Sequence, residues 1–219
     1  MINAPDRFRI TAVLMALVMG WFAIATIVAE GLSPKTRSFS RQGAAPDPIS
    51  DRAPAAWAAT ALLRGDRLAD IAFAYAAPAR GNEPATPDMI AARERAEAYA
   101  RRSLSLAPHA SDVWLLLAML GRQGPSQNAS AELLKMSYLT SRADADLIPA
   151  RLATMAASAA VADAELKSLA SGDIRLILTR RPDLKPALAS AYSGGSAEGR
   201  AFIRETVQSI DPGLAASLR

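Results

Sequence analysis

Cysteine is absent from the chain, and histidine occurs once, at position 109. The first absence removes disulfides, thiol nucleophiles and cysteine metal sites together. The second leaves His109 without the companions a histidine metal site requires. Aromatic residues make up 5% of the 219 positions. Valine, isoleucine, tyrosine and phenylalanine thin out beyond the first thirty residues, so a sheet would lack its usual material. No basic block hides behind the net charge of +4: residues 1–52 hold six basic and four acidic residues, and residues 53–219 hold nineteen and seventeen. Nucleic-acid binding normally needs cationic charge clustered on one face, and this balance argues against it.

Alanine and leucine fill the space left by these absences. Both are strong helix formers, and an alanine-lined core suits helices packed closely together. The expected fold class is all-α.

Ile10 to Ala29 reads ITAVLMALVMGWFAIATIVA and carries no charge. Twenty helical residues span roughly 30 Å, the thickness of a bilayer's hydrocarbon core. The expectation is a single transmembrane helix over residues 10–29, following a short tail at 1–9. A cleaved signal peptide ending at Ala29 is the rival, but the stretch exceeds the usual signal core. Arg7 and Arg9 on the tail favour a cytoplasmic N-terminus, although Lys35, Arg37 and Arg41 nearly balance them. That places the soluble part outside, in a periplasmic or other extracytoplasmic compartment. Residues 30–52 are rich in proline, serine and glycine without apolar periodicity, and read as a flexible linker.

From Pro54 the pattern turns helical. Gly65 stops one helix and Asp66 caps the next, to about Ala77. Thr86-Pro87 opens a helix reaching about Ala107, supported by Arg93–Glu97 and Glu97–Arg101 at i,i+4 spacing. Ser111 begins DVWLLLAMLG, which is apolar nearly all round and so should be covered on two faces. Asn128 or Ser130 starts the next helix, to about Ser141, and further helices are expected near 146–158, 163–169, 173–180, 183–191 and 196–209. The segment IRLILT at 174–179 could pass for a strand, but it lacks a pairing partner and fits a short helix begun by Asp173.

Four pairs recur at a spacing of 35 residues: Ala96 with Ala131, Leu104 with Leu139, Leu117 with Leu152, and Ala118 with Ala153. Such a period signals stacked helical pairs. With Ala96, Ala100, Ser103 and Pro108 at the helix crossing and turn, and Trp114, Leu117 and Ala118 opening the next unit, residues 92–157 resemble the tetratricopeptide repeat family. An unrelated helical bundle is the alternative. The resemblance implies a concave groove lined by Asp112, Leu115, Met119 and Arg122, then by Leu147, Ala150, Thr154 and Ala157 one repeat later. Residues 160–219 would be a helical cap.

Searching for chemistry gives little. His109 follows Pro108 in a turn. Asp144 and Asp146 lead into a helix, with Asp146 read as an N-cap, and Glu94 and Glu97 belong to the ion-pair face. Ser193-Gly194-Gly195-Ser196 lacks the lysine and preceding strand of a phosphate loop, and suits a turn capped by Ser196. Arg175, Arg180, Arg181 and Lys185 form the one local basic cluster, a candidate anion contact. No cofactor, small-molecule substrate or catalytic set is indicated, so no enzyme activity is expected. The expected function is a membrane-anchored repeat module that binds a protein partner in a bacterial envelope complex. The alternative is a membrane-proximal binder of anionic polymer or lipid.

Overall fold

A computed structural model describes residues 12–17, 19–21, 23, 64–77, 86–121, 127–142 and 144–218. Among them the regular structure is entirely helical: α1 (Gly65–Ala76), α2 (Pro87–Leu106), α3 (Ser111–Gly121), α4 (Gln127–Thr140), α5 (Ile148–Ala156), α6 (Ala164–Thr179), α7 (Lys185–Ser193), α8 (Ala197–Ile210) and α9 (Pro212–Ser217). Short 3-10 turns at Ala145–Leu147, Ala159–Ala162 and Pro182–Leu184 lead into or link helices.

Local chemistry sets most boundaries. Thr86 accepts a hydrogen bond from the Met89 amide at 3.3 Å, with Pro87 at the first helical position. Ser196 accepts from the Gly199 amide at 3.0 Å. Asp163 accepts from the Glu165 and Leu166 amides at 2.8 and 3.0 Å, and also pairs with Lys135 of α4 at 3.1 Å. These contacts hold the Asp163 carboxyl below its ordinary range, the Leu166 amide first among them. Asp163→Ala should lower stability by about 1–2 kcal/mol in urea denaturation. A loss within error of zero would remove the cap from this account.

Several boundaries differ from expectation. α1 begins at Gly65 with Arg64 at the N-cap position, so Asp66 sits in the first turn and does not cap the helix. Asp144 caps the 3-10 turn that leads into α5, its carboxylate accepting from the Asp146 amide, so Asp146 is not the N-cap. The helices expected at 163–169 and 173–180 are one helix, α6, which runs through Gly172 without a break. Asp173 therefore lies inside a helix, not at its start, while IRLILT is helical as expected. A final helix, α9, follows Pro212 where none was foreseen.

Among the described residues, α3 serves the two larger of three hydrophobic clusters. Val113, Leu116, Leu117 and Leu120 join Ala72, Phe73 and Ala76 of α1 and Ala96, Ala100 and Leu104 of α2. Leu115 and Ala118 face the larger core, with Leu134, Leu152, Ile174, Leu188, Ile203 and Val207. Burying each large aliphatic side chain contributes about 1.5–3 kcal/mol. This two-sided burial explains why α3 is apolar nearly all round. α1 packs along α2, and α3 along α4. Beyond α4 the pairing changes: α5 packs chiefly on α7, and α8 touches α5, α6, α7 and α9.

That change corrects the repeat reading. A repeat requires equivalent residues in equivalent surroundings. Leu104 is 7% exposed, but Leu139, thirty-five residues on, is 61% exposed. Ala118 is buried and Ala153 is exposed. The tetratricopeptide-like array and its stacked groove are therefore set aside in favour of a packed helical domain.

The membrane reading is corrected too. Among the described residues, no helix is long and apolar enough to cross a membrane. Of the expected span at 10–29, residues 12–17, 19–21 and 23 are described, all helical, and the rest lie outside the described residues. The single-pass anchor, the membrane as partner, the extracytoplasmic placement, and both functions built on them are not carried forward. The tail at 1–9 and the linker at 30–52 lie outside the described residues, as does the helix expected from Pro54.

Candidate functional site

The ends of several helices converge on an open cleft of about 560 Å³. The start of α1 supplies Gly65, Asp66 and Ala69, and the end of α2 supplies Ser103 and Ala107. His109 and Ala110 come from the turn, and Ser111 and Asp112 from the start of α3. The end of α4 adds Thr140 and Ser141, and the segment entering α5 adds Asp144, Asp146 and Leu147.

The floor depends on a close helix crossing. Ser103 donates its hydroxyl hydrogen to the Gly65 carbonyl at 2.7 Å, inside the packed layer. A Cβ on Gly65 would lie 2.9 Å from the Ala107 Cβ and 3.1 Å from the Ser103 carbonyl oxygen. Only glycine lets α1 start this close to the end of α2. The turn is fixed by Trp114, which donates its indole N–H to the Pro108 carbonyl at 2.8 Å.

Four carboxylates line the cleft, and among the described residues neither lysine nor arginine does. Asp66 is paired with Arg64 at 2.5 Å. The helix starts at Asp66 and Asp112 also present partial positive charge, which favours carboxylates there. The cleft thus offers oxygen acceptors on an apolar alanine and leucine floor. That chemistry suits a cationic group with a short apolar stem. His109 is exposed and makes no hydrogen bond or ion pair among the described residues. No cluster of three or more metal-ligating side chains occurs among the described residues.

The residues expected to form a groove are divided. Asp112 and Leu147 come together in the cleft. Leu115 is fully buried in the larger core, and Thr154 is buried and bonds the Ala150 carbonyl at 2.7 Å. Met119 and Ala150 are half-buried against that core. Arg122 lies outside the described residues. The basic cluster is divided as well. Arg175 and Arg180 are exposed, and Lys185 is half-buried at the start of α7. Arg181 is held by Asp183 through bonds of 2.8 to 3.2 Å, which keep the Asp183 carboxyl below its usual range.

A second polar group adjoins the cleft through Ser141, and no sequence motif marks it. Arg151 of α5 is fully buried. It donates to the Ser137 hydroxyl at 3.1 Å, the Ser137 carbonyl at 2.6 Å and the Ser141 carbonyl at 2.9 Å. Its guanidinium lies 4.8 Å from the centre of the Tyr138 ring. Asp173 of α6 is 6% exposed, and burial pushes its carboxyl up to about 6 from 3.8, against the opposing pull of Tyr138, Arg151 and Arg142. Burial also raises the Tyr138 hydroxyl and lowers Arg151. Tyr138 and Asp173 influence one another's protonation, yet no hydrogen bond of ordinary geometry joins Tyr138 Oη to Asp173 Oδ2.

The sign of the Asp173 effect follows. Its folded value exceeds its unfolded one, so the folded chain binds the proton more tightly. Stability from this group is full below about 3.8 and is lost as pH rises through about 6. Asp173→Asn should therefore stabilise the domain at pH 7.5, by no more than about 3 kcal/mol because Arg151 loses its counter-charge. The advantage should vanish toward pH 4. Urea titrations at the two pH values check this, and a variant less stable at pH 7.5 would refute it.

Compared with family models, curated proteins and solved structures, the chain matches none of them.

Proposed function

We propose that this domain is a non-catalytic binding module whose cleft takes a basic segment of another protein. The observation that carries the reading is a cleft of about 560 Å³ lined by Asp66, Asp112, Asp144 and Asp146, with no lysine or arginine on its walls among the described residues. Its volume lies within the range of ordinary ligand sites. A lysine or arginine side chain supplies both parts of the match: donors for the carboxylates, and a methylene stem for Ala69, Ala110 and Leu147. The reading needs neither a membrane nor a repeat array.

Fluorescence anisotropy with a short lysine- and arginine-rich peptide tests it. An uncharged peptide of equal length is the control. The basic peptide should bind, and raising salt from about 50 to 300 mM should weaken it, as the Debye length shortens. Replacing Asp112 and Asp146 together by asparagine should reduce affinity about tenfold, or about 1.4 kcal/mol. Equal binding of both peptides, or binding unaffected by the double substitution, would refute the proposal.

A further inference from the structure

Ser141 belongs to two structures at once. It lines the cleft, and its carbonyl is bonded at 2.9 Å by the buried Arg151 guanidinium. The other Nη of Arg151, the Tyr138 hydroxyl and Asp173 Oδ2 are all buried without a hydrogen-bond partner. They stand where α4, α5 and α6 meet. We infer that Arg151 and Asp173 form a proton-sensitive tie that sets the position of the cleft rim at Thr140 and Ser141.

An ionised Asp173 attracts the guanidinium, and that pull competes with the bonds Arg151 makes to the Ser137 and Ser141 carbonyls. Buried charges act on one another with little screening. A protonated Asp173 exerts no such pull, and its O–H becomes a donor. Arg151 then belongs wholly to the end of α4. The charged and titratable groups acting on Asp173 are Tyr138 of α4, Arg142 just beyond it and Arg151 of α5. The other elements packed on α6 bring apolar side chains to the shared core: Val161, Leu188, Ile203 and Val207. The midpoint of about 6 puts the change within a physiological range.

The functional meaning of this tie rests on the cleft being a binding site, but its test needs no ligand. Two-dimensional NMR follows the full-length chain from pH 7.5 to 5, in a His109→Gln background so that no imidazole contributes. The Asp173 carboxyl carbon should titrate with a midpoint near 6. The Thr140 and Ser141 amides should move with the same midpoint, and Asp173→Asn should abolish that movement. An Asp173 midpoint at the ordinary carboxylate value of about 4 would overturn the inference. So would rim amides that stay still, or that still move in the Asp173→Asn chain. Peptide binding failing while the rim titrates would count against the cleft's function and leave the tie intact.

Discussion

Truncating Arg151 to alanine is expected to lower the folding free energy by about 3–5 kcal/mol. Arg151 is fully buried and supplies three donors to the last turn of α4 and the residue after it. Its removal strands the Ser141 carbonyl, leaves the Ser137 carbonyl only the 3.4 Å bond from the Thr140 hydroxyl, and takes away one of the two arginines acting on Asp173. Each stranded acceptor costs about 1–3 kcal/mol, more for a charged one. Urea denaturation gives the value directly. Lysine at 151 should recover only part of it, because an ammonium cannot present the planar fork that spans a hydroxyl and two carbonyls. Arg180→Ala, at an exposed position, should stay within about 0.5 kcal/mol of the parent. Adding Asp173→Asn to Arg151→Ala should relieve part of the loss, since the buried charge goes with it. A small effect of Arg151→Ala, or equal effects at 151 and 180, would mean the buried tie contributes little.

The second large effect is expected at Gly199, where α8 crosses the end of α5. A Cβ placed there would lie 2.0 Å from the Ala156 carbonyl oxygen and 2.7 Å from its carbon. Both are backbone atoms, so no side chain can turn aside. The same carbonyl accepts the Ser196 amide at 2.8 Å just before α8 begins. Gly199→Ala should therefore cost about 3 kcal/mol, at the upper end of ordinary overpacking. Gly172 provides the opposite case within one chain. It is exposed in the middle of α6, and a Cβ there meets nothing within 4 Å. Gly172→Ala should stabilise by about 0.5–1 kcal/mol through helix propensity. Thermal or urea denaturation of the two variants should give shifts of opposite sign. Two shifts of the same sign would contradict the crossing described here.

The contrast between those glycines shows what a sequence can and cannot carry. The sequence pattern puts Gly199 inside a helix and Gly172 between two, and nothing local says which of them can accept a side chain. Helix identity was legible because it depends on neighbours: Thr86-Pro87, Asp163 and Ser196 announce helix starts through their own chemistry. The apolar wrap of α3 was legible for the same reason, since a helix covered on two sides must be apolar on both. The 35-residue spacing misled because alanine and leucine recur by composition. Leu104 and Leu139 share a residue type but not an environment, and only the packing beyond α4 reveals it.

The cleft was legible only in fragments. Asp112 and Leu147 were singled out for a groove, while Asp66, Asp144 and Asp146 read as helix-start residues. They do lie at or near helix starts. What brings them together is the approach of α1 to α2 at Gly65 and the turn held by Trp114, neither of which has a sequence signature. Arg151 and Asp173 were invisible for a related reason. Charged residues ordinarily lie at the surface, and the sequence pattern puts Asp173 at a helix start. Their burial follows from how α4, α5 and α6 meet.

Mapping amide shifts on adding the basic peptide tests the central claim most directly. The account predicts the largest changes at Gly65, Ala110, Ser111 and Ser141, on the walls of the carboxylate-lined cleft. Changes centred on the 175–185 face, or spread evenly over the domain, would contradict it.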